Sequence, residues 1–261
     1  MNEVVWTAIS AVATALAFFA VAWQSVLTRR ALAVSQTVAL DAARARLDSG
    51  APQVTVRLEE PAWPLLALSQ HGMPVNAWPA GHSWHFPQGE LDHSVLQAEV
   101  VVENHSGRPV EARFDGDLII ENADGRPAPA PTSLLVPAQG PSGGHGEVRV
   151  YLQKAFSSKA LAGNHAAREA GTDLPHGVYG TVTVHDDRDN GVVDTWRVAL
   201  TGCPIQPDPN RGSVWIVAPD HIDGRSGRRS LIYDLLPPRE RTYWTSRRTH
   251  TPLHETGQNS R

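Results

Sequence analysis

The chain has 261 residues, 41% of them hydrophobic and 19% charged, with a net charge of −4. That suits one sizeable domain with appendages and gives no general reason to bind nucleic acid. A single cysteine, Cys203, excludes an intrachain disulfide and a cysteine-built zinc cage, and so favours a reducing compartment. Lys154 and Lys159 are the only lysines among many arginines; with abundant Ala, Gly and Pro, this composition points to a GC-rich bacterial genome.

Residues 4–27 carry no charge, and only Thr7, Ser10, Thr14, Gln24 and Ser25 interrupt the apolar run. As a helix it spans roughly 36 Å, against a hydrocarbon core of about 30 Å. Trp6 and Trp23 stand near its ends, where aromatic rings favour headgroups. The competing reading is a cleaved signal peptide at Ala20-Val21-Ala22. The start Met1-Asn2-Glu3 lacks the basic n-region such peptides carry, and the run exceeds their apolar stretch of about 7–15 residues. The expectation is a membrane helix over residues 1–28, anchored in the bilayer through 4–27. Arg29 and Arg30 follow directly, so the soluble part is expected in the cytoplasm.

Residues 29–50 form a juxtamembrane stalk without Gly or Pro until Gly50, and Pro52 prevents continuation. Leu27, Ala31, Val34, Val38 and Ala45 recur at heptad-like spacing, with Asp41 in the seam. This seam offers a weak homodimer through a coiled coil; the alternative is a helix packed on its own body or lying along headgroups.

Beyond Pro52 the apolar period becomes two. Alternation over residues 53–58, 96–103, 147–153, 178–185 and 192–200 predicts strands. One further strand is expected to include Phe114 and Leu118–Ile120, and another to cover 214–218. Strands separated by Gly, Pro, Asn and Asp clusters, without intervening helices, predict an antiparallel β-sandwich over residues 51–203, with a β-barrel as the alternative. The stretch from Asp173 to Thr181 resembles the corner before strand F of immunoglobulin-like domains, where a Tyr hydroxyl ties the loop back. Thr181 stands where antibody domains have Cys, so the resemblance implies an immunoglobulin-like sandwich without the disulfide. Residues 59–94 read as a long Pro-rich loop, of the kind that binds something or covers a sheet. Residues 204–261 read as a basic tail, partly disordered, in which basic and aromatic residues can meet anionic lipid. The stretch around Leu231–Leu236 is apolar enough to dock on the body.

Several clusters carry candidate chemistry. The long loop holds Trp63, Trp78 and Trp84 with His71, His82, His85 and His93. His82, His85 and His93 are the candidate metal ligands, although no cysteine or carboxylate set accompanies them. The three Trp residues either cap an end of the sandwich or form a protein-binding surface. Asp186, Asp187, Asp189, Asn190 and Asp194 are oxygen ligands for calcium, against the simpler reading of an Asn190-Gly191 hairpin. The run from Gly140 to Gly146 has phosphate-loop composition, but a strand follows where a helix N-terminus is needed. Asn104-His105-Ser106 is a sequon. Cys203 beside Pro204 has no base near it in sequence, so no catalytic residue and no cofactor is assigned.

The layout of membrane helix, short stalk and β-domain resembles single-pass membrane proteins of GC-rich Gram-positive bacteria, and that resemblance implies no activity. The residues support an interaction or scaffolding module at the cytoplasmic face. The alternative is a metal-dependent sensor or hydrolytic enzyme using the His/Trp loop.

Overall fold

The computed structural model describes residues 2–69, 74–79, 81–121, 127–140, 146–185, 191–218 and 231–243. Two compact units emerge, one containing the N-terminal helix and the other the body Ala51–Pro252.

The expected membrane helix and stalk are one uninterrupted helix, α1 (Asn2–Gly50), because no Gly or Pro lies between its ends. The hydroxyls of Thr14, Ser25 and Thr28 donate to carbonyls four residues back, at 2.8–2.9 Å, so these polar side chains are satisfied within the helix. The described large apolar side chains from Trp6 to Val38 are exposed, Trp6 by 70% and Phe18 by 74%. From Val12 onward the described helix is long and apolar enough to cross a membrane.

Among the described residues the chain is mainly β, its strands in antiparallel sheets. In order these are β1 (Val54–Leu58), β2 (Leu66–Leu68), β3 (Pro74–Ala77), β4 (Ser83–His85), β5 (His93–Asn104), β6 (Val110–Gly116), β7 (Leu118–Glu121), β8 (Pro127–Pro129), β9 (Thr132–Val136) and β10 (Gly146–Ser157). A second helix, α2 (Ser158–Glu169), precedes β11 (Gly177–His185), β12 (Val192–Gly202), β13 (Ile205–Asp208), β14 (Arg211–Val217) and β15 (Leu231–Tyr243). One sheet has the order β3-β2-β5-β10-β7-β8, with β1 also on β5; a second runs β15-β12-β11-β6-β9; a third is β13-β14-β4. Every pair is antiparallel.

Alternation in the sequence becomes burial in the structure. Leu96, Ala98, Val100 and Val102 of β5, Val178, Val182 and Val184 of β11, and Trp196, Val198 and Leu200 of β12 all enter one core shared by the two large sheets. Each buried aliphatic side chain contributes about 1.5–3 kcal/mol relative to exposure. The sheets come close at Gly180, where an added Cβ would lie 2.6 Å from Leu118 Cγ. On the outward side of β5, Val101 is still fully buried between its register partners Arg57 and Arg149. Arg57 pairs with Glu59 and Glu103, and Arg149 with Glu99 and Glu147, so their apolar stems lie over the valine beneath a charged surface.

Four expectations need correction. A helix does intervene among the strands: α2 is capped by Ser157, whose side chain accepts from the Ala160 amide at 3.2 Å. The expected strand holding Phe114 and Leu118–Ile120 is two strands in different sheets, because the chain turns at Gly116 (φ +83°). The long 59–94 segment contains β2, β3 and β4. After Cys203 the chain adds β13, β14 and β15, the last pairing with β12 over Leu231–Tyr243.

Candidate functional site

The long segment between β1 and β5 builds an aromatic cluster at the body's edge. Trp84 is 1% exposed and belongs to the core; Trp63 and Trp78 are partly buried against it. Position on β4 fixes Trp84, which pairs in register with Trp215 of β14. Trp78 donates its indole N–H to the buried Ser94 hydroxyl at 2.9 Å, and its backbone amide to the Leu65 carbonyl at 2.9 Å. His82 stacks on Trp78, with ring centroids 4.1 Å apart, and meets Trp84 edge-on at 4.8 Å. Burial pushes the His82 imidazole below its ordinary value, and Asp92 opposes the shift.

The three candidate metal ligands are distributed differently. His82 is in the stack, His85 is exposed on β4 opposite Val214, and His93 is exposed at the start of β5 opposite Ser157. Among the described residues, no three His, Cys, Asp or Glu side chains are grouped to hold a metal ion. His71 lies outside the described residues.

Asp194 occupies a different environment from the one a calcium site needs. It is 3% exposed, and Arg241 of β15 clamps both its oxygens at 2.7 and 2.6 Å, with Arg239 at 3.7 Å. Its expected companions Asp186, Asp187, Asp189 and Asn190 fall outside the described residues, as do 141–145 of the glycine-rich run and 219–230 and 244–261 of the tail.

The sequon asparagine is also committed. Asn104 is fully buried, donates to the carbonyls of Arg108 and Pro137, and accepts from the Ser106 amide at 2.9 Å. A glycan cannot be attached there without dismantling this turn. Tyr179 differs from the expected corner: it is 48% exposed on the outer face, and its ring lies over Gly177. Burial raises the Cys203 thiol, with Arg168 opposing, which makes it a poor nucleophile.

Sequence reasoning missed a second aromatic group around α2. Trp215 stacks on Phe86 at 5.5 Å and meets His165 edge-on at 5.6 Å, while His176 packs beside Phe156. The available signal was Ser157 followed by the helix-forming run Lys159-Ala160-Leu161. These rings and those of the first cluster join separate elements by packing. Comparison of the chain with protein-family models and with curated proteins finds no match.

Proposed function

We propose that this protein is a membrane-anchored interaction module: α1 crosses the bilayer with residues 4–27 and holds an immunoglobulin-like sandwich at the cytoplasmic face, where it recruits or braces a protein partner. The observation that carries the reading is the exposure of α1's described apolar side chains within the span, including Val12, Leu16, Phe18, Phe19, Val21 and Trp23. Water disfavours such a surface and lipid accepts it. Arg29 and Arg30 directly after the span support retention of the body in the cytoplasm.

Strand order supports the immunoglobulin-like layout. The neighbours β1, β5, β10 and β7 in one sheet, and β6, β11 and β12 in the other, follow the A-B-E-D and C-F-G order of a constant-type domain. Such sandwiches commonly act by presenting loops and sheet edges to partners, and here β9 and β3 are edge strands. Trp63 and Trp78, partly exposed beside the β3 edge, are the residues we assign to partner contact.

The lone buried cysteine provides a test, since Cys203 gives little background in thiol labelling. Gly107→Cys places a thiol on an exposed turn with open space around it. In intact cells a membrane-impermeant maleimide should leave this variant unlabelled, and permeabilisation should expose it. Labelling of intact cells would reverse the orientation; recovery of the full chain in a detergent-free soluble fraction would remove the anchor.

A further inference from the structure

We propose that Trp78, His82 and Trp84 form a proton-operated clasp, which holds β4 on β14 while His82 is neutral and releases that strand when His82 gains a proton. The inference concerns the body alone and does not depend on the anchor or its direction.

The clasp is made of three rings from one short segment. His82 lies flat on Trp78, the two planes 24° apart, and both rings meet Trp84 nearly at right angles. This packing ties together three parts of the body. Trp78 reaches β5 through Ser94, Trp84 enters the core, and β4 carries the only pairing of the third sheet with the 59–94 segment among the described residues. Losing the stack therefore frees β4 and uncovers an edge of β14.

Protonation acts at one of two buried nitrogens. His82 Nε2 and Trp84 Nε1 are both buried, and neither has a hydrogen-bond partner among the described residues. The indole nitrogen only donates, whereas the neutral imidazole nitrogen can remain an acceptor. A proton on Nε2 turns it into a charged, buried donor that has no hydrogen-bond partner among the described residues. Attraction of the imidazolium to the Trp78 face offsets part of that cost. Asp92, in the turn before β5, is the charged group that faces His82 among the described residues, and burial outweighs it. Trp78 and Trp84 do not titrate. The sign follows: the clasp is closed above about pH 6.5, the ordinary imidazole value, and weakens progressively as pH falls below it.

Hydrogen–deuterium exchange of the full-length protein in detergent micelles reads this directly, with rates corrected for the intrinsic effect of pH. Between about pH 7.5 and pH 5, protection of residues 78–86 and 211–217 should fall about tenfold, while β11 and β12 stay unchanged. His82→Phe, which keeps a ring in the stack, should abolish the change, and His82→Gln serves the same purpose should the Phe variant fail to fold. Unchanged protection in the wild type, or the same loss in a folded variant without His82, would overturn the proposal. The wild-type titration decides the first of these whatever the variants do.

Discussion

Asp117 and Tyr179 hold each other by two hydrogen bonds, the Asp117 amide donating to the Tyr179 carbonyl at 2.8 Å and the Tyr179 amide donating to Asp117 Oδ2 at 3.1 Å. The pair lies where the chain leaves β6 in one sheet and enters β7 in the other. The Asp117 carbonyl also accepts from the Gln153 amide at 3.0 Å, and its carboxylate meets Lys154 at 3.0 Å. One residue thus bonds to both sheets. Asp117→Ala keeps the backbone bonds and loses the side-chain ones, so it should lower unfolding free energy by about 1–2 kcal/mol in denaturant titration. Gly116→Ala should cost more, since a Cβ there would lie 2.6 Å from the Tyr179 carbonyl at a φ of +83°. A smaller effect at Gly116 than at Asp117 would show that the crossover relaxes.

Strand existence was legible in this sequence because half-buried strands alternate, and the alternation alone places Val54, Val100, Val150, Val182 and Val198 facing inward. The helix α2 was hidden because two of its four buried residues, Ser158 and Asn164, are polar, leaving no apolar stripe to read. Asp194 shares the inward parity of Val192, Trp196 and Val198, so a buried carboxylate was foreseeable. Its partner Arg241 arrives from a strand 47 residues away, a distance that periodicity does not bridge. The aromatic cluster was visible as composition alone; which indole entered the core depended on the pairing of β4 with β14.

Asn164 explains how a helix with a polar inner face is held. It donates to the carbonyls of His176 at 2.7 Å and Gly202 at 2.8 Å, and accepts from the His176 amide at 3.0 Å. Asn164→Ala leaves these buried groups unpaired and should destabilise by about 2–3 kcal/mol. Asn164→Asp should be at least as damaging, because a carboxylate cannot donate to the two carbonyls. Equal stability of Asn164→Asp and the wild type, measured by thermal and denaturant unfolding, would mean that α2 is anchored by its apolar residues alone.

Acid should expose a second dependence, distinct from that of His82. The Asn210 amide donates to Asp208 at 2.8 Å and Arg211 pairs with it, and together they hold its carboxyl below the usual carboxylate range. A depressed folded-state value contributes stability that is present above the unfolded value, about 3.9, and is lost as pH falls through the folded one. Asp208→Asn should therefore flatten part of the decline in melting temperature below about pH 4. It should leave the His82-dependent decline that begins below about pH 6.5 in place. Should the variant decline as steeply as the wild type below pH 4, the turn at Asp208 would contribute nothing to acid sensitivity.

The ion pair between Asp194 and Arg241 makes the docking of β15 asymmetric in its energetics. Arg241→Ala leaves a carboxylate that is 3% exposed without its clamp, a loss of about 3–5 kcal/mol for a broken buried pair. Arg239 at 3.7 Å can recover part of this by closing on the same oxygen. Asp194→Ala should be milder, since Arg241 is 18% exposed and can turn toward solvent. Asp194→Leu combined with Arg241→Leu removes both charges and fills the space with apolar groups, so it should be close to neutral. The order of stability expected from denaturant titration is wild type and the double variant together, then Asp194→Ala, then Arg241→Ala. If Arg241→Ala is as stable as Asp194→Ala, the carboxylate is reaching water when β15 is in place, and the strand is held by its backbone ladder with β12 rather than by charge.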